Sequence, residues 1–220
     1  MTGRRVAWVT VALLVTGCVP PWWRMPPLDP TLTLAAHRES RGVVFDRLAP
    51  DGAAELVPSG SPWDPATRLE QAHVPVAIIA CRGSRATVQS ARSPSTTLGA
   101  VDAEWDQGAI RFVLRPITGV VRTSVFHRIG GGDPPVLRRF ARTVFDLRGD
   151  YRADVQDPTG SLVGWIRVRI GRYQPYPRIY DGVVPPFVDG ALVAAMVQML
   201  DAEISHIDDR ILSDVYMGLN

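Results

Sequence analysis

The sequence predicts an α+β domain, mainly β, in which an antiparallel barrel or a strongly curved sheet surrounds a C-terminal hydrophobic helix. Three observations predict it. First, in FVDGALVAAMVQML (187–200), Gln198 is the only polar residue between Ala191 and Leu200. A helix that is apolar on every face is either a membrane span or wrapped by protein, and this run falls well short of the roughly 20 residues a span requires. Second, residues 150–170 alternate on both sides of an Asp157-Pro158-Thr159-Gly160 turn, as a hairpin does. Third, short β-branched or alternating runs separated by Gly and Pro recur from Gly42 onward.

Taken in order, the chain opens on an address. Arg4-Arg5 precede the apolar stretch Val6–Val15, the form of a signal peptide. Val15-Thr16-Gly17-Cys18 then resembles a bacterial lipobox, which implies removal of residues 1–17 and acylation of the Cys18 thiol. Val19 in place of Asp implies sorting to the outer membrane, facing the periplasm, where two membranes exist. The text PPWWRMPPLDP (20–30) holds five prolines, which cannot enter a helix or a central strand. Residues 18–41 are therefore expected to form a tether, with Trp22 and Trp23 either at the headgroup level or docked on the domain. A single domain is expected over 42–220.

Within it, Val43–Phe45 and Glu55–Val57 flank an Asp51-Gly52 turn, a first hairpin. PSGSPWDP (58–65) reads as a loop. The apolar run Pro75–Cys81 suits a strand buried on both faces; Gly83 breaks it and Thr87–Ser90 returns. Ser93–Thr97 reads as a loop. Ile110, Phe112 and Leu114 alternate with Arg111, Val113 and Arg115, and Val121, Thr123 and Val125 continue the pattern. GGGDPP (130–135) reads as a loop, and 136–148 fits a helix or a strand, with strand favoured from Arg142. In the hairpin, Tyr151, Ala153 and Val155 are set opposite Ile166, Gly164 and Leu162. The same register faces Arg152 with Trp165 and Asp150 with Arg167. Gly171–Pro186 leads to a helix over about 188–217, capped by Asp189; Ser205 leaves open a break into two.

Composition narrows the chemistry. All 24 basic residues are Arg, which excludes a Schiff-base lysine. After removal of the leader the chain has 22 Arg against 22 acidic residues, divided into a basic middle (111–178, +8) and an acidic end (179–220, −6). These regions either neutralise each other or leave a basic surface for phosphate or acidic glycan. An envelope address leaves no role for nucleic acid. Cys81 is then the sole cysteine, read as a small buried hydrophobe. No HExxH, CxxC, GxSxG or P-loop occurs. His206, Asp208 and Asp209 do not share one helix face, so no metal, cofactor or catalytic residue is assigned. Arg167 and Arg169 share the strand face opposite the apolar one; with Arg172 they are the candidate ligand-binding residues.

Gly149-Asp150, VQDPTGSLVGWI (155–166), RIYDGVV (178–184) and VDGALVAAMVQMLDAEI (188–204) together resemble the end of the tubby-like superfamily, in particular its LURP-one-related and phospholipid-scramblase-like branches. The resemblance covers roughly residues 142–204. It implies a closed β-barrel around the hydrophobic helix, a Tyr-containing strand at 178–184, and a function in lipid headgroup or membrane binding rather than catalysis. The expected function is a non-enzymatic, membrane-anchored lipoprotein that binds anionic lipid headgroups or another envelope component. Its alternatives are an assembly lipoprotein docking a protein partner through the Pro/Tyr loop 173–186, and an envelope hydrolase with an unrecognised site.

Overall fold

The computed structural model describes residues 31–39, 42–49, 52–61, 64–106, 109–129, 150–170, 178–185 and 187–217, with helix side chains as far as Ser205. Twelve strands close into a barrel. Six come from the first half: β1 (Leu34–Glu39), β2 (Gly42–Leu48), β3 (Gly52–Ser61), β4 (Asp64–Gln71), β5 (Val74–Arg82) and β6 (Arg85–Ser90). Six follow: β7 (Thr97–Asp106), β8 (Ala109–Pro116), β9 (Arg122–Ile129), β10 (Asp150–Gln156), β11 (Leu162–Ile170) and β12 (Arg178–Val183). Each pairs antiparallel with the next in sequence, and β1 pairs with β12 to close the ring, leaving no edge strand. One helix, α1 (Gly190–Met217), follows β12.

The helix lies in the lumen. Leu192 through Val197 are six consecutive residues at 0–2% exposure. At about 100° per residue they sweep more than a full turn, so protein covers every face. They share one core with the inward side chains of the strands, among them Phe45, Leu69, Ile79, Phe112, Ile166 and Val168. Many inward positions are small (Ala36, Ala54, Ala77, Ala86, Ala153) and share the core with Ala194 and Ala195 on α1, which leaves room for a helix where a narrower barrel would be filled by side chains alone. Gln198, the one polar residue of the run, donates from Nε2 to Thr67 Oγ1 on β4 at 2.7 Å. Asp189 caps the helix, its Oδ1 accepting from Ala191 N at 2.8 Å. Described as one helix through Met217, α1 does not break at Ser205.

Several elements depart from the sequence reading. β1 lies within the stretch read as tether (18–41) and is part of the barrel wall. The loop read over 58–65 is mostly strand: β3 runs to Ser61 and β4 starts at Asp64. Its prolines are tolerated because their strands are one-sided there. β2 pairs with β3 only as far as Glu55, and β5 meets β4 only from Ala66, so Pro58 and Pro65 each face a single neighbour. β5 is half-buried, with Ala77 and Ile79 inward and Val74 exposed. In β9 the inward residues are Ser124 and Phe126, not Val121, Thr123 and Val125, because the turn after β8 resets the phase. Residues 130–149 and 171–177, with Arg172, lie outside the described residues.

The β10–β11 hairpin forms around the expected turn. Asp157 O accepts from Gly160 N at 3.0 Å, and Gly160 takes φ +82°, the left-handed region where glycine carries no Cβ penalty. The Asp157 carboxylate accepts from Thr159 Oγ1, Thr159 N and Ser161 N; led by the Thr159 hydroxyl, these bonds lower its pKa. The register, however, differs by two residues from the expected one: Val155 faces Gly164, Ala153 faces Ile166, Asp150 faces Arg169 and Arg152 faces Arg167. A bulge between Val155 and Gln156 and the glycine turn each add a residue. A two-residue shift preserves the faces, so Ala153, Val155, Ile166 and Val168 still point inward. Leu162, displaced by the bulge, is exposed. Arg152 reaches Trp165 diagonally, its guanidinium 5.4 Å from the ring.

Candidate functional site

The closing seam between β1 and β12 lies between two carboxylates, Asp181 of β12 on its outer face and Asp201 of α1 on its inner face. Outside, Asp181 on β12 faces Arg167 directly across the ladder. Arg167 donates from Nε and Nη2 to its two oxygens at 2.9 and 3.0 Å, a bidentate pair. Arg169 Nη2 donates to Oδ2 at 2.5 Å. Asp181 is buried beneath them, while the two arginine side chains stay about one-third exposed. Arg169 Nε is buried and has no hydrogen-bond partner among the described residues. Arg152, facing Arg167 on β10, pairs with Asp154 at 3.1 Å. Like charges placed opposite each other destabilise a ladder; here each has its own carboxylate. Asp150 stands opposite Arg169 in the β10–β11 ladder, so three guanidiniums and three carboxylates balance along this wall. The structure thus brings Arg167 and Arg169 together on the outer wall.

Inside, Asp201 on α1 gathers Arg38 from β1 and Arg178 and Tyr180 from β12. Arg38 Nη1 pairs with its Oδ2. Arg178 Nη1 and the Tyr180 hydroxyl donate to Oδ1 at 2.9 and 2.6 Å, and Arg178 also donates to Asp201 O and Ser205 Oγ. Burial, then the Asp201 charge and hydrogen bond, push the Tyr180 phenol well above its usual range, so it stays a neutral donor. The group joins both seam strands to the helix. None of Arg38, Tyr180, Asp181 or Asp201 was singled out from sequence. The available signal was an Asp set in an apolar context, once in RIYDGVV and once at the end of the helix run; which arginine each would meet depends on pairings far apart in the chain.

Two other features were also unforeseen. A cavity of about 240 Å³ opens where α1 leaves the barrel, lined by Cys81, Phe112, Gln198, Met199 and Glu203 among others. Burial raises the Cys81 pKa, so its sulfur remains a thiol and a poor nucleophile. On the outer wall, Glu55, Glu70 and His73 offer donor atoms within 4.8 Å of one another, but Arg68 already pairs with Glu70 at 3.2 Å and His73 stands in solvent. No family model, curated protein or solved structure matches this chain.

Proposed function

We propose that this chain is an envelope lipoprotein, anchored through acylated Cys18 to a membrane, expected to be the outer one, and that its barrel is a binding module for an anionic envelope component rather than a catalyst. The observation that carries the binding reading is the outer-wall cluster. Arg167 and Arg169 converge on Asp181, with about one-third of each arginine side chain left exposed. Two guanidiniums already held in place by a carboxylate are preorganised for a second oxyanion, such as a phosphate or carboxylate group on a lipid headgroup or glycan. The lipobox text at 15–18 supports the anchor.

The test uses the unlipidated Cys18→Ser chain with vesicles of neutral lipid, vesicles containing anionic lipid, and a soluble organic phosphate. Binding to either anionic probe that is lost in an Arg167→Gln/Arg169→Gln/Asp181→Asn variant supports the reading, since that variant removes both guanidiniums without stranding a buried carboxylate. Equal binding to neutral and anionic vesicles, with no uptake of the phosphate, overturns it. Mass spectrometry of Cys18 from native membranes tests the anchor separately.

A further inference from the structure

Five large apolar side chains are at least 50% exposed among the described residues: Val74, Ile117, Val120, Leu162 and Phe187. Single exposed hydrophobes scattered over a surface are ordinary. These are not scattered. In an up-and-down barrel, successive turns alternate between two rims, so the β4–β5, β8–β9 and β10–β11 turns fall at the same end. Val74 opens β5, Ile117 and Val120 lie in the β8–β9 turn, and Leu162 opens β11. Phe187 precedes α1, which enters the lumen beside Leu48 and Ala49 at that end. All five therefore share one rim. At the opposite rim, the exposed side chains among the described residues include the charged Arg82, Arg85, Glu104 and Arg111.

The direction of the chain supplies a second observation. β1 starts at Leu34, paired with Leu48 and Gly182, at the apolar rim. The segment from Cys18 thus enters the barrel at that rim. Thirteen Cα steps separate Cys18 from Thr31, a reach of at most about 45 Å. Arg122, at the same rim, sets its guanidinium 5.3 Å over the Phe187 ring, the arrangement of a ring below and a charge above that suits a membrane interface. The outer wall carries charges on several strands (Arg68, Asp102, Arg115, Arg152, Arg167) while the lumen is apolar, the reverse of a membrane-spanning barrel.

We infer that this rim seats on the lipid bilayer, its apolar side chains entering the interfacial zone while the barrel stands off the surface. The inference rests on the lipoprotein reading above and goes beyond it by fixing orientation. Arg167 and Arg169 lie five and seven residues up β11 from Leu162, about 12–18 Å higher at a strand tilt near 40°. That clears a headgroup layer about 5–8 Å deep, so their anion belongs to a component above the anchoring bilayer and not to a lipid within it.

The test places a polarity-sensitive fluorophore at Ile117→Cys or Leu162→Cys on the rim, and at Glu104→Cys or Arg111→Cys on the opposite end, in the lipidated Cys81→Ser chain. Phosphatidylcholine vesicles carry a lipid-attached nitroxide quencher. Quenching at the rim positions alone is expected. Equal quenching at both ends, or none, in a chain shown to be acylated overturns the orientation and leaves the lipoprotein reading standing. In parallel, the Cys18→Ser chain is compared with its Ile117→Ser/Leu162→Ser/Phe187→Ser variant, matched for thermal unfolding. The variant should partition about 10–100-fold less onto neutral vesicles. If Cys18 proves unmodified, the lipoprotein reading fails and this partition alone decides: an unchanged partition overturns the rim, and a fall of that size upholds it as a membrane surface without an anchor.

Discussion

Asp201 is one carboxylate at 2% exposure on which the geometry of three elements depends: Arg38, Arg178 and Tyr180 all point at it from the seam, and its own helix supplies Ser205. Removing one partner of a buried charge pair costs far more than the pair's net worth, because the other charge is left unpaired. Asp201→Ala should therefore lose about 3–5 kcal/mol in urea unfolding, and Asp201→Asn, which keeps an acceptor, clearly less. Tyr180 adds a pH dependence whose sign is fixed. Its folded pKa lies well above the ordinary tyrosine value of about 10, so above about pH 10 the unfolded chain releases a proton that the folded chain retains, and stability falls as pH rises. Alkaline unfolding should be shallower in Tyr180→Phe than in the parent; identical slopes would mean the phenol is not held neutral by the fold.

At the scale of elements, α1 and the β10–β11 hairpin were the parts most readable in the sequence, for different reasons. The helix carries its environment in its composition: ten residues with one polar member admit no solvent face. Ala195 sits in the middle of that run at 0% exposure, and Ala195→Asp should yield no soluble folded protein, as judged by near-ultraviolet dichroism. The hairpin carried its faces and its turn, but not its register, since a two-residue slip leaves the alternation intact and the bulge that causes it has no marker in the text. β4 and β7 were passed over because their text (DPATRLEQ and TLGAVDAEWD) mixes Pro, Gly, Ala and charge. They become strands because each is held between two neighbours. At the seam, a Cβ on Gly182 would run into the Trp165 carbonyl and Ile166 Cα. Gly182→Val should accordingly lower the melting temperature by about 5–10 °C, from overpacking of about 1–3 kcal/mol.

For the whole molecule, closure and filling are one event. The inward alanines make a lumen that strand side chains alone do not fill, and α1 has no polar face with which to remain outside. A chain ended after Pro185 would keep all twelve strands and lose the centre of the core. It should fail to show cooperative thermal unfolding, and adding back a 187–217 peptide in trans should restore it in part. Survival of a stable barrel without the helix would show that the strands alone supply the core.

The sequence by itself determined which segments are amphipathic, which helix must be enclosed, where the hairpin turns, and that Arg167 and Arg169 point away from the core. These are local properties, written in spacing and in the solubility of side chains. Only the tertiary structure decided that β1 belongs to the wall, that Asp181 and Asp201 are the carboxylates the arginines meet, and that exposed apolar residues from four separate segments share one rim. Those facts depend on closure between strands nearly the whole chain apart, such as Leu34 with Gly182. Contacts at that separation leave no periodic trace in the text, because what brings them together is the ring and not the neighbouring residues.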